Sequence, residues 1–420
     1  MDKIVIEGGY PLEGDITISG AKNSAIKLMA VCLLTEDPII LENMPRLRDT
    51  RFMGQLLAHM GVNVEEGPGS SMALHAKTLT STTAPYDLVR KMRATFNVLG
   101  PTLAREGAAK VSLPGGCAIG ARPVDLHLKA LESLGADIVL DEGYVIATAK
   151  NGLSGSEITF PFISVGATEH TMLAAVLAKG TTDIYNAARE PEIVDLANCL
   201  NAMGAKISGA GRSEMTIEGV SNLSGVTHSV VPDRIEAGTY ALAAATAGGK
   251  VRLVNIRSDH LGALWPLIAQ AGAHVSMDET TVTIERAGGT IKPVDLDTQA
   301  YPGFPTDLQA QFMTLMCLAD GVSIIRENIF ENRFMHCPEL SRMRADITVT
   351  GREAIVRGVK SLRGAPVMAT DLRASASLIA AGLAAKGQTN VGRVYHLDRG
   401  FENIEVKLGQ CGAKIQRVAE

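Results

Sequence analysis

Apolar and polar positions along this chain repeat in one phase. A helix face of leucines, methionines and alanines runs into Gly-Ala or a close variant, and a short β run follows. The pattern occupies 56–64, 131–138, 200–207, 267–275, 340–347 and 408–415. Its turn positions are 61, 135, 204, 272, 344 and 412, spaced 68 to 74 residues apart. Glycine stands at five of these six positions, where a left-handed helix C-cap favours it. Arg344 is the exception, so there the cap should be poorer or the turn different. A second helix recurs in the same phase, predicted at Thr171–Gly180, Thr239–Gly248, Gln311–Gly321 and Ser377–Gly387. Each shows apolar residues three and four apart and a glycine stop before the next strand.

Six copies of a unit with two helices and several short strands predict an α/β architecture in which stacked units bury faces that one unit alone could not. A chain of 420 residues exceeds one ordinary core, and a period near seventy is long for a solenoid. Two globular domains of three units each are the simplest division: residues 22–231, and 1–21 plus 232–420. The N-terminal strand precedes the first helix pair, so it is expected to pair with the last units. The chain should cross between domains near Gly20–Lys22 and near Val230–Pro232. Two short crossings would leave an interdomain cleft, a favoured place for a ligand.

Composition narrows the picture. Hydrophobic residues make up 46% of the chain and aromatics only 4%, so small aliphatic packing should dominate. A net charge of -5 does not favour a nucleic-acid partner. No apolar run approaches the roughly 18–20 residues of a membrane span, and the N-terminus lacks the basic and apolar segments of a secretory signal. Cys32, Cys117, Cys199, Cys317, Cys337 and Cys411 are scattered without metal-type pairing, and the histidines show no paired-ligand spacing. The reading is a reduced cytosolic protein without structural zinc or a disulfide frame.

Cys117 lies in a stretch of three glycines and two prolines beside Arg122, between Leu113 and Pro123. A thiol beside a cation on such a loop can be exposed and reactive. Lys22, in Gly20-Ala-Lys-Asn-Ser24, precedes an apolar helix predicted over Ala25–Leu34 and capped by Asn23 or Ser24. It is either a solvated lysine or part of an anion site at a helix N-terminus. Arg93 opens another apolar helix, where its charge opposes the helix dipole unless an anion sits there. Asp307 ends a proline-rich loop before a helix predicted over Leu308–Leu318, as an N-cap, a first-turn carboxylate or a proton acceptor. Arg333, Arg373 and Arg399 fall at strand ends or helix starts. Singly each reads as a surface charge or an intramolecular ion-pair partner; with Lys22 and Arg122 they would suit a small ligand carrying a carboxylate and a phosphate.

Several long segments resemble the UDP-N-acetylglucosamine 1-carboxyvinyltransferase family, enolpyruvyl transferases of peptidoglycan synthesis. They are GAKNSA at 20–25, RATFNVLGP at 93–101, LPGGCAIGARPVDLH at 113–127, SVGATE at 164–169, PGFPTDLQAQ at 302–311, ENRFMH at 331–336, DLRASA at 371–376 and HLDRGFENI at 396–404. The resemblance covers essentially the whole chain. It implies an inside-out α/β barrel fold of two domains with three repeated units each. The implied reaction moves enolpyruvate from phosphoenolpyruvate to the 3′-hydroxyl of UDP-N-acetylglucosamine, releasing phosphate through a tetrahedral ketal. It implies a cytoplasmic enzyme of cell-wall synthesis, acting as a monomer without cofactor.

Position by position, the resemblance makes Cys117 the acid toward the methylene carbon and a site of covalent phosphoenolpyruvate capture. Asp307 becomes the base for the sugar hydroxyl, and Asp371 a carboxylate near the reacting carbon. Lys22, Asn23, Arg122 and Arg399 face the phosphate; Arg333 and Arg373 face the carboxylate or close the site. Arg93, the run Arg122, Pro123, Val124, Asp125 and Leu126, together with Ser164, Val165 and Ile329, match contacts to the nucleotide sugar. One departure is Phe162, where some relatives place a basic residue near the diphosphate. The rival enzymatic reading is the sister transferase acting on shikimate 3-phosphate. The rival of another class is a non-catalytic repeat protein that binds a nucleotide sugar, which the retained Cys117, Asp307 and Asp371 disfavour.

Overall fold

The computed structural model describes residues 2–114 and 124–419. It divides into two compact units, one formed by residues 2–19 and 232–419, the other by 20–114 and 124–231. Among the described residues each unit holds three four-stranded sheets. Each sheet follows one plan: a parallel edge strand, a central strand, and two antiparallel strands. In one sheet these are Leu296–Asp297, Val322–Arg326, Glu353–Arg357 and Asp346–Thr350.

The helices that precede the central strands are buried along most of their length although each carries polar residues. They are α1 (Lys22–Val31), α2 (Leu99–Glu106), α3 (Val165–Ala175), α4 (Arg234–Ala247), α5 (Gln309–Met316) and α6 (Leu372–Ala384). α5 is buried throughout, and α4 and α6 are buried except at their last residue. These three pack on one another, and the sheets of their unit lie outside them. This is the inside-out arrangement. In the other unit α2 packs against α3 and against Cys32–Leu34, the continuation of α1. Small residues permit the close approach: a Cβ on Gly238 of α4 would lie 2.4 Å from Leu308 Cδ1.

These helices start five to six residues before the predicted onsets in α3, α4 and α6, and two before in α5. The first turns are rich in Gly, Ser, Thr and charged residues, which mask the apolar period. α1 likewise begins at Lys22, with Ala21 in the N-cap position, so neither Asn23 nor Ser24 caps it. The Ser24 hydroxyl is engaged elsewhere, donating to Asp195.

Residues 61, 135, 204, 272, 344 and 412 all adopt positive φ, between 71° and 106°. The turn at Arg344 is therefore the same turn, with φ 71° on a residue that disfavours it.

The strand Asp2–Glu7 sits between Gln388–Gly392 and Lys414–Ala419, antiparallel to both, as its place before the first helix pair led one to expect. The strand Leu12–Thr17 is the parallel edge of the sheet containing Gly249–Val254. One small device recurs at the ends of the central strands. Asn43, Asn186 and Asn255 follow three of them with φ of 53°, 57° and 58°. Each donates its side-chain amide to the carbonyl just past the neighbouring parallel strand: Val230, Phe160 and Ile18. No helix among the described residues is long and apolar enough to cross a membrane.

Candidate functional site

In the unit formed by 2–19 and 232–419, three separated motifs converge on Asp307. The carboxylate lies in the single 3₁₀ turn Thr306–Leu308 that leads into α5. Its Oδ1 accepts from Arg333 Nη2 at 2.8 Å, and its Oδ2 accepts from Arg373 Nη2 at 2.6 Å. Both guanidiniums are nearly buried, with side chains 5% and 7% exposed, while Asp307 keeps 24% exposure. Two cations and one anion leave this cluster with one positive charge in a partly dry setting. That is a competent receptor for an anionic substrate group. The two arginines fix the direction of the Asp307 carboxylate, a group that in its ionised form accepts protons.

Asp371 and Asp233 show what the same residue type does at other helix starts. Asp371 N-caps α6, accepting from the amides of Arg373 at 2.7 Å and Ala374 at 3.2 Å. Asp233 caps α4 through the amides of Ile235 and Glu236. Asp307 does not cap its helix; its carboxylate is held by side chains from other segments. By fixing the first turn of α6, Asp371 also fixes Arg373.

Arg333 stacks on the Phe330 ring, 5.5 Å from its centroid. His336 is buried three residues further on. Burial depresses it to about 4; Asp371 pulls the other way and Arg333 adds to the lowering. It is a neutral imidazole at pH 7. Arg399 ends the 3₁₀ segment Val394–Arg399, which packs on α6. The next residue, Gly400, approaches Leu372 so closely that a Cβ would lie 2.6 Å from its Cδ2. Arg399 is thereby brought beside the Asp371–Arg373 turn. Ile329 is 36% exposed on the segment between Arg326 and Arg333.

The unit 20–114 and 124–231 collects the other candidates. Lys22 opens α1 and pairs with Asp49 at 3.6 Å, a carboxylate that is 1% exposed. Asn23 shares that first turn, where backbone N–H groups lack intrahelical acceptors. Lys27, one turn on, pairs with the buried Glu169 of α3. Asp195 accepts from Ser24 and from the Val231 amide and bonds His228 at 2.8 Å, tying the start of α1 to the strand end before Pro232.

The elements that carry the nucleotide-sugar candidates of this unit touch one another through three rings. Arg93 opens the 3₁₀ segment Arg93–Val98, Val124 to Leu126 enter the helix Asp125–Ser133, and Ser164 caps α3 through the Ala167 amide. Val165 is the first residue of α3. Phe96, His127 and His170 from these three elements form one ring cluster, with centroids 5.1 to 5.9 Å apart. The Gly100 amide donates to His170 Nε2 at 2.7 Å, which assigns the His170 proton to Nδ1, 3.1 Å from His127 Nδ1. Burial first, then the charge of Lys27, holds His170 at about 3, so its own imidazole stays neutral at pH 7. Gly166 faces His127, whose ring atoms would lie 3.3 Å and 3.4 Å from an added Cβ. Phe162, just before this helix, is 59% exposed.

Cys117, Arg122 and Pro123 lie outside the described residues. The other five cysteines are buried. Burial raises their thiols, Cys199 and Cys337 to about 12, so none of these five is a nucleophile at neutral pH. Among the described residues no group of His, Cys, Asp and Glu is placed to hold a metal ion.

Three partners of the candidate residues carry no motif of their own: Asp49 beside Lys22, Asp195 beneath α1, and Glu327, which bonds the hydroxyl of Thr306. In sequence each is one carboxylate among 45 acidic residues.

Comparison with known proteins gives three findings. The model of the EPSP synthase (3-phosphoshikimate 1-carboxyvinyltransferase) family matches residues 6–408. A UDP-N-acetylglucosamine 1-carboxyvinyltransferase of Maricaulis maris (strain MCS10) is 65% identical over 421 residues, covering 100% of both chains. One from Caulobacter sp. (strain K31) is 64% identical, covering 100% of this chain and 98% of its own length. Among solved structures, the enolpyruvyl transferase NikO from Streptomyces tendae superposes with a TM-score of 0.88 at 24% identity, over 99% of this chain and 98% of that one. EPSP synthase from Acinetobacter baumannii gives 0.77 at 18% identity, covering both chains in full. The structural likenesses establish the inside-out fold.

Proposed function

This chain belongs to the EPSP synthase family of carboxyvinyltransferases, and from that premise we propose that it transfers enolpyruvate from phosphoenolpyruvate to the 3′-hydroxyl of UDP-N-acetylglucosamine. The geometric observation that carries the reading is the Asp307 carboxylate gripped by Arg333 and Arg373. A proton acceptor stands there beside two fixed cations. The nucleotide sugar is favoured over shikimate 3-phosphate because relatives that share most of the sequence over full length bear that name.

The reaction has two halves. In addition, the sugar oxygen attacks C2 of phosphoenolpyruvate and loses its proton to Asp307. The double-bond electrons take a proton at C3, from Cys117. The product is a tetrahedral ketal that still carries phosphate. In elimination, the C–O bond to phosphate breaks with its electron pair leaving on phosphate. A proton departs from C3 to the Cys117 thiolate, the double bond re-forms, and the proton taken up by Asp307 passes to the departing phosphate. The sum is phosphoenolpyruvate plus UDP-N-acetylglucosamine giving the enolpyruvyl ether plus phosphate, with no redox change.

Cationic character develops at C2 as the ketal forms and breaks, and Asp371 is the carboxylate assigned to stabilise it. Lys22, Asn23, Arg122 and Arg399 are assigned to the phosphate, and Arg333 and Arg373 to the carboxylate. Arg93, residues 122–126, Ser164, Val165 and Ile329 are assigned to the nucleotide sugar. The convergence of Arg93, Leu126 and Ser164 segments on one ring cluster supports that last group. The physiological setting proposed is the cytoplasmic entry to peptidoglycan synthesis.

The test measures phosphate release with each substrate alone and with both. Release should require phosphoenolpyruvate and UDP-N-acetylglucosamine together. Turnover with shikimate 3-phosphate and none with the nucleotide sugar would sink the assignment.

A further inference from the structure

Glu327 is fully buried and belongs to no motif discussed so far. It follows the central strand Val322–Arg326, opposite Thr298: Asp297 pairs with Arg326, which sets the next residues facing. The same register places Val230 opposite Asn43, Phe160 opposite Asn186, and Ile18 opposite Asn255. Glu327 thus occupies the position that the recurring asparagine fills in three other sheets. It does not adopt their left-handed conformation. The duty of that asparagine has moved one residue on, since Asn328 Nδ2 donates to the Thr298 carbonyl at 3.1 Å. The structural tie is therefore kept, and a buried carboxylate has been added to it.

The added carboxylate joins three pieces of the candidate site. Its Oε2 accepts from the hydroxyl of Thr306, the neighbour of Asp307, at 2.9 Å. Its Oε1 accepts from the amides of Ile329 at 2.9 Å and Phe330 at 3.1 Å, and from the Thr298 hydroxyl at 2.9 Å. Ile329 is the candidate sugar contact, and Phe330 carries the ring on which Arg333 stacks. A carboxylate with four directed donors is a rigid joint, stronger than neutral hydrogen bonds would make it. Of the sheets that carry the asparagine or its equivalent, this is the one whose loops bear both Asp307 and Arg333.

We propose that Glu327 is a positioning residue: it replaces the generic asparagine turn of this fold so that the turn bearing Asp307 and the loop bearing Ile329 and Arg333 are held in one fixed register. The proposal rests on the enolpyruvyl transfer reading for its readout. Each arm has its own kinetic signature. The Thr306 arm acts through Asp307 and should appear in kcat. The Ile329 arm acts on the sugar contact and should appear in KM for UDP-N-acetylglucosamine.

The test uses the full-length chain with Thr306→Val, Thr306→Ser, Glu327→Ala and Glu327→Gln, each with a thermal unfolding curve. Thr306→Val removes one donor at constant size. It should lower kcat roughly ten- to a hundredfold, the cost of a small misplacement of a reacting group, with KM for the sugar nearly unchanged. Thr306→Ser keeps the hydroxyl and should recover most of the rate. Glu327→Ala should lower kcat and also raise KM for the sugar. Glu327→Gln, which offers an oxygen to the amides and an NH₂ to the hydroxyl, should recover most of both. A folded Thr306→Val enzyme with unchanged kcat would overturn the proposal, and so would equal losses in the valine and serine variants. Failure of the parent chain to release phosphate would strike the functional reading instead, and is told apart by that control.

Discussion

At the scale of single residues, the chemistry rests on contrasts between groups of one type. Five cysteines are buried with raised thiols, so a thiol reagent should find a different target. Alkylation of the native chain at neutral pH should modify one site, read by peptide mass mapping as Cys117. Cys117→Ser should abolish that labelling and lower turnover. Cys117→Asp should retain turnover and resist alkylating epoxides, since a carboxylic acid can also protonate carbon. Two fast-labelling sites, or an unaffected rate in the serine variant, would contradict the assigned role. The carboxylates make a similar contrast: Asp233 and Asp371 cap helices, while Asp307 is held by arginines. Asp307→Asn should reduce kcat by roughly 10²–10⁴, the usual contribution of a general base, while the fold survives. A fall of less than threefold would move the base elsewhere. From local pattern alone Asp307, Arg333 and Arg373 were each readable as a single charge, and only the motif resemblance gathered them into one site. What joins them is a tertiary contact across 26 and 66 residues, which no local pattern encodes.

At the scale of elements, what sequence disclosed was whatever the backbone decides locally. The glycine turns at 61, 135, 204, 272 and 412 were legible because left-handed φ selects glycine. The expectation of a different turn at Arg344 followed the same logic, and the structure keeps the turn with φ 71°. The turn's own backbone bonds, Arg344 N–H to Ser341 and Ala345 N–H to Leu340, hold the geometry, and the arginine accepts the strain. Arg344→Gly should therefore stabilise the chain by about 1 kcal/mol, seen as a higher denaturation midpoint, because the steric cost of a left-handed side chain exceeds the entropy cost of glycine. A lower midpoint would mean that the Arg344 side chain contributes more than its backbone loses. Helix starts were less legible. α3, α4 and α6 begin within runs of small and polar residues that the buried setting, not amphipathic periodicity, makes helical. Glu327 was illegible for a different reason: its meaning appears only when its register is set beside Asn43, Asn186 and Asn255.

At the scale of the whole molecule, the six-fold period announced the architecture, because each copy ends in the same turn and strand. The N-terminal strands belong to the unit that resumes at Pro232. Ile4, Ile6, Leu12, Ile16 and Ile18 are all buried there. A polypeptide of residues 232–420 alone should lack a central strand in one sheet and an edge strand in another, and so fail to fold cooperatively. The same segment with residues 1–19 attached at its C-terminus through a flexible linker should regain a sharp unfolding transition by circular dichroism. Residues 20–231 should show one without help. Cooperative folding of 232–420 by itself would show that the two N-terminal strands add little.

That pairing also sets a timetable for synthesis. Asp2–Glu7 waits for Gln388–Gly392 and Lys414–Ala419, which are made long after it. The middle of the chain can complete its own core while the first strands remain unmatched. Until those partners emerge, the nascent protein carries an apolar β segment with nothing to pair with. Such a segment is a ready binding site for holding chaperones, and for the strand edges of neighbouring nascent chains. Slowed translation of the later strands would therefore lengthen the exposure of Asp2–Glu7 most, and a stop before residue 388 would leave it unpaired for good.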